Sequence, residues 1–475
     1  MKKSVLYYFL STSNKRLLNR FEKFIQSRYF NSNVNCEKLF SIFQREFNLG
    51  SKGVLKSESI YAELFPNENY NNQKIRLLYS ETYRLFKSFL TLEEHPYYKT
   101  DNLDLAKYYQ EIGKEDLYER TMDKIESNLD KQEYRNGKYF LSKYNLAKEK
   151  YYYQTSTKRL KVVPYDKVIS TFDVYYYIEK LRQGCILKAH KNTALNSSTE
   201  PDLFYVVQRC ESNPQLIKTY PTLAIYFYCF KALSDTKGDH KFNIFQKMLL
   251  ENINLFSKEE SKELLIMGIN FCAKKINNLE RIYLEKVFSI YEIGIDKNIL
   301  VHKKIISPFT FKNALSVAIE IGNKEWAERF IVKYGDYLPA KQKESVLKYC
   351  IAKLLISKGN KDPAKTILAQ FYSEDILSYL SGKMLLIQLY FEDKEFDLLG
   401  SLLDNMNVYI NRKKKMSYHK IHYKEVIKFT RKLINLPPFD QAARKSLREE
   451  IENSEVKLMK KEWFLEQVGG GRGNR

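Results

Sequence analysis

The sequence predicts an all-α protein, a solenoid of antiparallel helix pairs behind an N-terminal helical domain, and three observations carry that prediction. Gly (17) and Pro (11) are scarce among 475 residues, against average usage of about 7% and 5%, so tight hairpin turns are few. Apolar residues recur at helical spacing, most clearly in Ile75, Leu78, Tyr79, Thr82, Leu85, Phe86 and Phe89, with Arg76, Arg84 and Lys87 off that stripe. Third, Gly322-Asn323-Lys324-Glu325-Trp326-Ala327, Gly359-Asn360-Lys361-Asp362-Pro363-Ala364 and Glu392-Asp393-Lys394-Glu395-Phe396-Asp397 are variants of one another, recurring after 37 and then 33 residues. Self-similarity at a period of about 20 to 50 residues marks stacked repeats, which also explains a chain longer than one compact core allows.

Residues 1–98 read as a first helical domain, with helical patterns at Leu17 to Tyr29, Glu37 to Phe47, Ser59 to Phe65 and Asn72 to Leu90. Pro66 and Asn67-Glu68-Asn69 form the turn before the last. Residues 99–200 continue as a Tyr-rich helical segment, with helices at Leu103 to Gly113, Leu117 to Leu129 and Phe172 to Ala189. Its clusters Tyr151-Tyr152-Tyr153 and Tyr175-Tyr176-Tyr177 are read as core fillers that bury the ring and bond at the hydroxyl, with stacking platforms for single-stranded bases as the alternative. Asn192 to Asp202 reads as an interdomain loop. Helix pairs then run through 201–435: Thr222 to Ser234 with Lys241 to Leu255, Lys258 to Lys275 with Leu279 to Gly294, and the clearer copies from Phe309 onward. Pro437-Pro438 closes the array, and 436–475 reads as one capping helix, Gln441 to Val468, with a glycine-rich tail.

Between the helices of a pair the chain reverses tightly, which favours Gly322 and Gly359, and five residues later a small side chain, Ala327 or Ala364, admits the close approach of the second helix. Pro339, twelve residues past Ala327, stops that second helix. This spacing resembles the tetratricopeptide repeat over residues 309–410, although Phe311 and Leu315 replace family positions and Asp397 replaces the small residue of copy three. The resemblance implies a right-handed solenoid that works as a protein-binding scaffold. It also implies groove-facing positions at Lys312, Ser316 and Glu320 in the first copy and Tyr349 and Lys353 in the second. Lys312 and Lys353 beside Tyr349 would suit an acidic or C-terminal carboxylate ligand through charge-assisted hydrogen bonds. Trp326, at the start of a second helix, is expected in the inter-repeat core. Separately, Ser57 to Leu90 is similar to the winged-helix unit that precedes helical repeats in some bacterial transcription activators, a similarity carried by Leu64-Phe65-Pro66, with no alternating β pattern following in Thr91 to Asp101.

The net charge of +22, from 79 basic and 57 acidic residues, suits a polyanionic partner. Lys outnumbers Arg about threefold, however, and Asn, Ile and Tyr are also abundant, the signature of an AT-rich coding sequence without selection for binding. The densest basic patch follows Arg412-Lys413-Lys414-Lys415: Lys420, Lys424, Lys428, Arg431 and Lys432 share one helical face, either as phosphate contacts or as an ordinary solvated surface. His419, His422 and Glu425 sit three apart, but the lysines around them oppose a cation, and no metal or other cofactor is expected. Six scattered cysteines without a CxxC pair read as buried apolar residues in a reducing compartment. The run Val5 to Leu10 is shorter than a leader's apolar region, and Leu223 to Phe230 is far short of the roughly 20 residues that span a bilayer, so a soluble cytoplasmic protein without membrane insertion is expected. No GxxxxGK[ST], HExxH, GxSxG or GxGxxG pattern is present. The expectation is therefore a non-enzymatic scaffold for protein partners, with the alternative of a nucleic-acid-binding or transcription-associated protein that uses the N-terminal domain or residues 412–432.

Overall fold

The computed structural model describes residues 5–48, 56–94, 103–157, 165–191, 203–235, 239–413, 417–437, 439–456 and 458–469. Within them the chain is all-α apart from one two-stranded hairpin, and no described helix is long and apolar enough to cross a membrane. The chain divides into two units, residues 1–132 with 138–172, and residues 133–137 with 173–475. The boundary between 172 and 173 falls inside a continuous helix; the interdomain loop expected at Asn192 to Asp202 lies outside the described residues, as does the tail beyond Gly469.

The first unit holds α1 (Val5–Thr12), α2 (Lys15–Gln26), α3 (Val34–Asn48), α4 (Ser57–Leu64), α5 (Asn72–Glu94), α6 (Leu103–Glu111), α7 (Glu115–Asp130), α8 (Gly137–Thr157) and the start of α9 (Asp166–Lys191). Asn14 starts α2 by accepting the Leu17 amide on its side chain, and the helix then buries Leu18, Phe21, Phe24 and Ile25. Phe21 is the centre of this core, edge-on to Phe40 and Phe86 at 4.9 Å each. Offset and edge-to-face rings of this kind add to plain area burial. In the Tyr-rich part, Tyr153 is buried and stacked on Tyr118 at 3.8 Å, and Tyr177 is buried in the second unit, whereas Tyr152 and Tyr176 stay exposed.

The second unit continues α9 and adds α10 (Phe204–Ser212), α11 (Pro214–Thr219), α12 (Pro221–Ser234), α13 (Asp239–Glu251), α14 (Lys258–Asn277) and α15 (Tyr283–Asp296). The antiparallel hairpin β1 (Val301–His302) and β2 (Ile305–Ile306) follows, an element that no alternating pattern announced. Then come α16 (Pro308–Glu320), α17 (Lys324–Tyr334), α18 (Ala340–Ser357), α19 (Lys361–Ala369), α20 (Ile376–Glu392), α21 (Phe396–Arg412), α22 (Ser417–Ile434), α23 (Gln441–Glu452) and α24 (Lys461–Val468). Neighbours in sequence pack on one another; α16 also packs on α18, and α18 on α20. The capping helix expected over Gln441 to Val468 is broken: α23 stops at Glu452 and α24 restarts after Lys460, which adopts a left-handed φ of 58°.

One turn recurs at the end of the first helix of five pairs. The amide of the residue after Gly113, Leu279, Gly322, Gly359 and Lys394 bonds to a carbonyl five residues back, as in Asn323 N to Ala318 O at 2.8 Å and Glu395 N to Tyr390 O at 2.8 Å. Each of those five residues has positive φ, between 59° and 85°, the left-handed cap that glycine adopts without cost. The third copy is therefore out of register with its sequence match. Lys394, not Glu392, is the counterpart of Gly359, and the position five residues on is Leu399, buried like Ala327 and Ala364, not Asp397. Lysines at the start of α17 and α19 reach the next pair: Lys324 Nζ bonds to Ser357 O and Lys361 Nζ to Glu392 Oε2 at 2.8 Å. Trp326 stacks on Phe330 at 4.7 Å and meets Phe288 of α15 edge-on at 5.0 Å. It thus bridges two pairs, though it is only partly buried.

Residues 133–137 belong to the second unit although the helices they join do not. Arg135 N donates to Leu255 O at 2.8 Å, Thr222 Oγ1 donates to Arg135 O at 2.5 Å, and Asn136 Nδ2 donates to Glu260 Oε2 at 2.9 Å. Tyr226 OH holds the other oxygen of Glu260 at 2.6 Å, so a buried carboxylate is satisfied on both sides.

Candidate partner-binding face

Helices α16, α18, α20 and α22 place polar side chains against one another. Lys312 of α16 donates to Ser378 Oγ of α20 at 2.5 Å. Lys353 of α18 meets Glu320, at the end of α16, at 3.3 Å, with 14% of its own side chain exposed. The remaining groups are Tyr349 and Cys350 on α18, Asp375 capping α20 through the Ser378 amide at 2.8 Å, and Tyr423 of α22, whose phenol lies beside Ser381. Of the five groove positions read from the repeat, Lys312, Glu320, Tyr349 and Lys353 are thus gathered here, and Ser316 lies partly exposed on α16 between them.

Electrostatics in this face follow from burial. Desolvation lowers the Lys312 pKa, with Asp375 opposing. It also lowers that of Lys353, which Glu320 partly restores and Lys460 depresses further. Burial raises the Tyr349 phenol and pushes the Cys350 thiol up to about 12, the two lysines pulling weakly the other way. Such a thiol is not a nucleophile at neutral pH. Lys312 has no carboxylate within salt-bridge distance among the described residues, and its charge is met by a hydroxyl. The face is therefore partly dehydrated, with Lys353 paired to Glu320 and Lys312 the cation without a carboxylate in salt-bridge range among the described residues; contact with an anionic group there is stronger than on an open surface.

The sequence reading missed Ser378, Tyr423 and Lys460; Ser378 lies 66 residues from Lys312, and Lys460 more than 100 from Lys353. Lys460 reaches Lys353 because the C-terminal segment folds back. Trp463 of α24 donates to Glu392 at 3.3 Å and packs edge-on against Phe391 at 5.5 Å, while Glu462 pairs with Arg281 at 3.8 Å. Asn453-Ser454, a helix-stopping pair, is the signal that marked this break.

The basic patch of α22 is built differently. Lys428 lies 3.5 Å from Glu425 and 3.3 Å from Glu450, Lys432 pairs with Glu450 at 2.6 Å, and Arg431 pairs with Asp404. Lys420 and Lys424 have no ion pair among the described residues, and Lys414 and Lys415 lie outside them. Three of the five cations thus spend their charge on α21 and α23 or on their own helix. No group of three or more His, Cys, Asp or Glu is placed to hold a metal among the described residues. No family model, curated protein or solved structure matches the chain.

Proposed function

We propose that the helix pairs of the second unit form a tetratricopeptide-like solenoid, and that the protein is a non-enzymatic scaffold holding a protein partner on the face of α16, α18, α20 and α22. The observation that supports this reading is the convergence of Lys312, Tyr349 and Lys353 with Ser378 and Tyr423 from four successive first helices. A surface assembled once per pair is what a stacked architecture offers an extended ligand. Lys312 favours an acidic segment of that partner, because its partly dehydrated ammonium is met by the Ser378 hydroxyl and gains a charge-assisted hydrogen bond from a carboxylate.

A photo-crosslinking residue at Ser316 tests the reading in the native cell against the same residue at Val332, which is 85% exposed on α17. A discrete protein adduct from position 316, absent from 332 and lost in Lys312→Glu/Lys353→Glu, is the expected result. Equal adducts from both positions, or none from 316, would overturn it.

A further inference from the structure

The outer face of α2 carries charge that the rest of the fold does not explain. Lys15, Arg16, Asn19, Arg20, Lys23 and Gln26 are all exposed, on an arc of about 140° at 100° per residue along a helix roughly 18 Å long. Arg28 and Tyr29 extend it past the helix end. Glu22, the one acid of α2, lies at the margin of this arc and accepts from Gln44 at 3.2 Å. Arg20 pairs with Glu93 at 2.8 Å, whereas Lys15, Arg16, Lys23 and Arg28 have no acidic partner among the described residues. Elsewhere in this unit Arg45 pairs with Glu63 at 2.8 Å and Lys74 with Glu68 at 2.6 Å, while the exposed Lys38, Arg76, Arg84 and Lys87 also have no ion pair among the described residues; what sets α2 apart is that its cations share one arc.

This arrangement works against the helix that bears it. Lys15 and Arg16 stand in the first turn, at the positive end of the macrodipole, with no acid there. Arg16 and Arg20 are like charges four apart, each such pair costing a few tenths of a kcal/mol. Beside the cations stands Tyr29, 90% exposed, its ring edge-on at 5.0 Å to Phe30, which is itself stacked on Phe24 at 4.5 Å. The faces of the Tyr29 ring are thus open to solvent.

We infer that α2 and the Arg28-Tyr29 corner bind single-stranded nucleic acid, with Lys15, Arg16, Lys23 and Arg28 on successive phosphates and Tyr29 stacking on an unpaired base. A line of unneutralised cations ending in a free aromatic face is the pairing that sequence-tolerant single-strand binders use. A duplex offers the phosphates but keeps its bases stacked internally, and an anionic lipid surface offers nothing for the ring to stack on. The inference does not depend on the scaffold reading, since it concerns a different unit.

Fluorescence anisotropy of the full chain with a labelled oligonucleotide of roughly 20 nucleotides tests it. The single strand should bind more tightly than the same sequence as a duplex or than vesicles containing phosphatidylserine. Lys15→Gln/Arg16→Gln/Lys23→Gln should lower affinity and reduce the slope of log K against log salt by about 2, at about 0.7 per lost phosphate contact. Tyr29→Ala should lower affinity about tenfold and leave the slope unchanged, a separation that a purely electrostatic surface does not produce. All four side chains are exposed, and circular dichroism checks that the variants stay folded; the single Tyr29→Ala substitution carries the test should the triple variant be impaired. Absence of binding, preference for the duplex or the vesicle, indifference to Tyr29→Ala, or loss only in Lys420→Gln/Lys424→Gln would each overturn the inference.

Discussion

Replacing Tyr226 with Phe should loosen the segment that the chain threads from residues 133–137 into its second unit. Tyr226 and its acceptor Glu260 are 1% and 6% exposed, so the carboxylate gains no bulk water when the 2.6 Å bond is removed. A buried hydrogen bond to a carboxylate contributes about 1.5 to 3 kcal/mol, and the substitution changes no apolar contact, so the loss should be about 2 kcal/mol. In a chain of two units a single global midpoint is a poor reporter. The Arg135 amide is a local one, because it exchanges only when its bond to Leu255 O opens. At about 1.4 kcal/mol per decade, its exchange in Tyr226→Phe should accelerate roughly thirtyfold. Asn136→Ala should act similarly, and the double variant should cost less than the sum, because both donors serve one carboxylate. Unchanged exchange at Arg135 in Tyr226→Phe would show that this network does not hold the segment.

Trp326→Ala should destabilise the second unit by about 2 to 3 kcal/mol, at the lower end for a large aromatic because the ring is partly exposed, measured as faster hydrogen exchange of the α17 amides; unchanged exchange would mean that the contacts with Phe288 and Phe330 contribute nothing. Lys303 and Lys304 turn the β1–β2 hairpin with φ of 48° and 59°, a geometry suited to Asn-Gly, so Lys303→Asn/Lys304→Gly should raise stability by about 1 to 2 kcal/mol, and a lower melting temperature would refute that account. Burial holds the Lys353 pKa below its unfolded value. As pH rises from the folded value toward about 10.4, the unfolded chain keeps its proton longer and this group's penalty shrinks, so stability rises. Lys353→Met should accordingly exceed the wild type in stability near neutrality, with the gap narrowing in that alkaline window; a gap independent of pH would refute the desolvation account.

The helices were legible because burial writes itself into periodicity. The stripe Ile75 to Phe89 predicts α5, and its members Ile75, Leu78, Thr82, Leu85, Phe86 and Phe89 are buried. The repeat was legible where glycine marks the left-handed cap and became misaligned where lysine does the same task. Sequence similarity followed Glu392-Asp393-Lys394, whereas the backbone follows the positive φ of Lys394. The polar face was half legible: a repeat register places Lys312, Tyr349 and Lys353 on successive helices, but Ser378, Tyr423 and Lys460 meet them only through tertiary packing. The hairpin at 301–306 was invisible because strands of two residues are too short to alternate.

The threading of residues 133–137 also bears on how the chain is made. Thr222 follows the Arg135 carbonyl it binds by 87 residues, and Glu260 follows Asn136 by 124. At roughly 5 to 20 residues per second on the ribosome, this segment emerges some 5 to 25 seconds before its partners exist. Helices that form within microseconds can be complete on either side of it during that interval, with the segment between them still lacking its partners. Synthesis order thus makes residues 133–137 wait on residues 222–260, so a chain stalled or ended before them would carry an unanchored segment at Arg135, more open to proteases than in the finished protein.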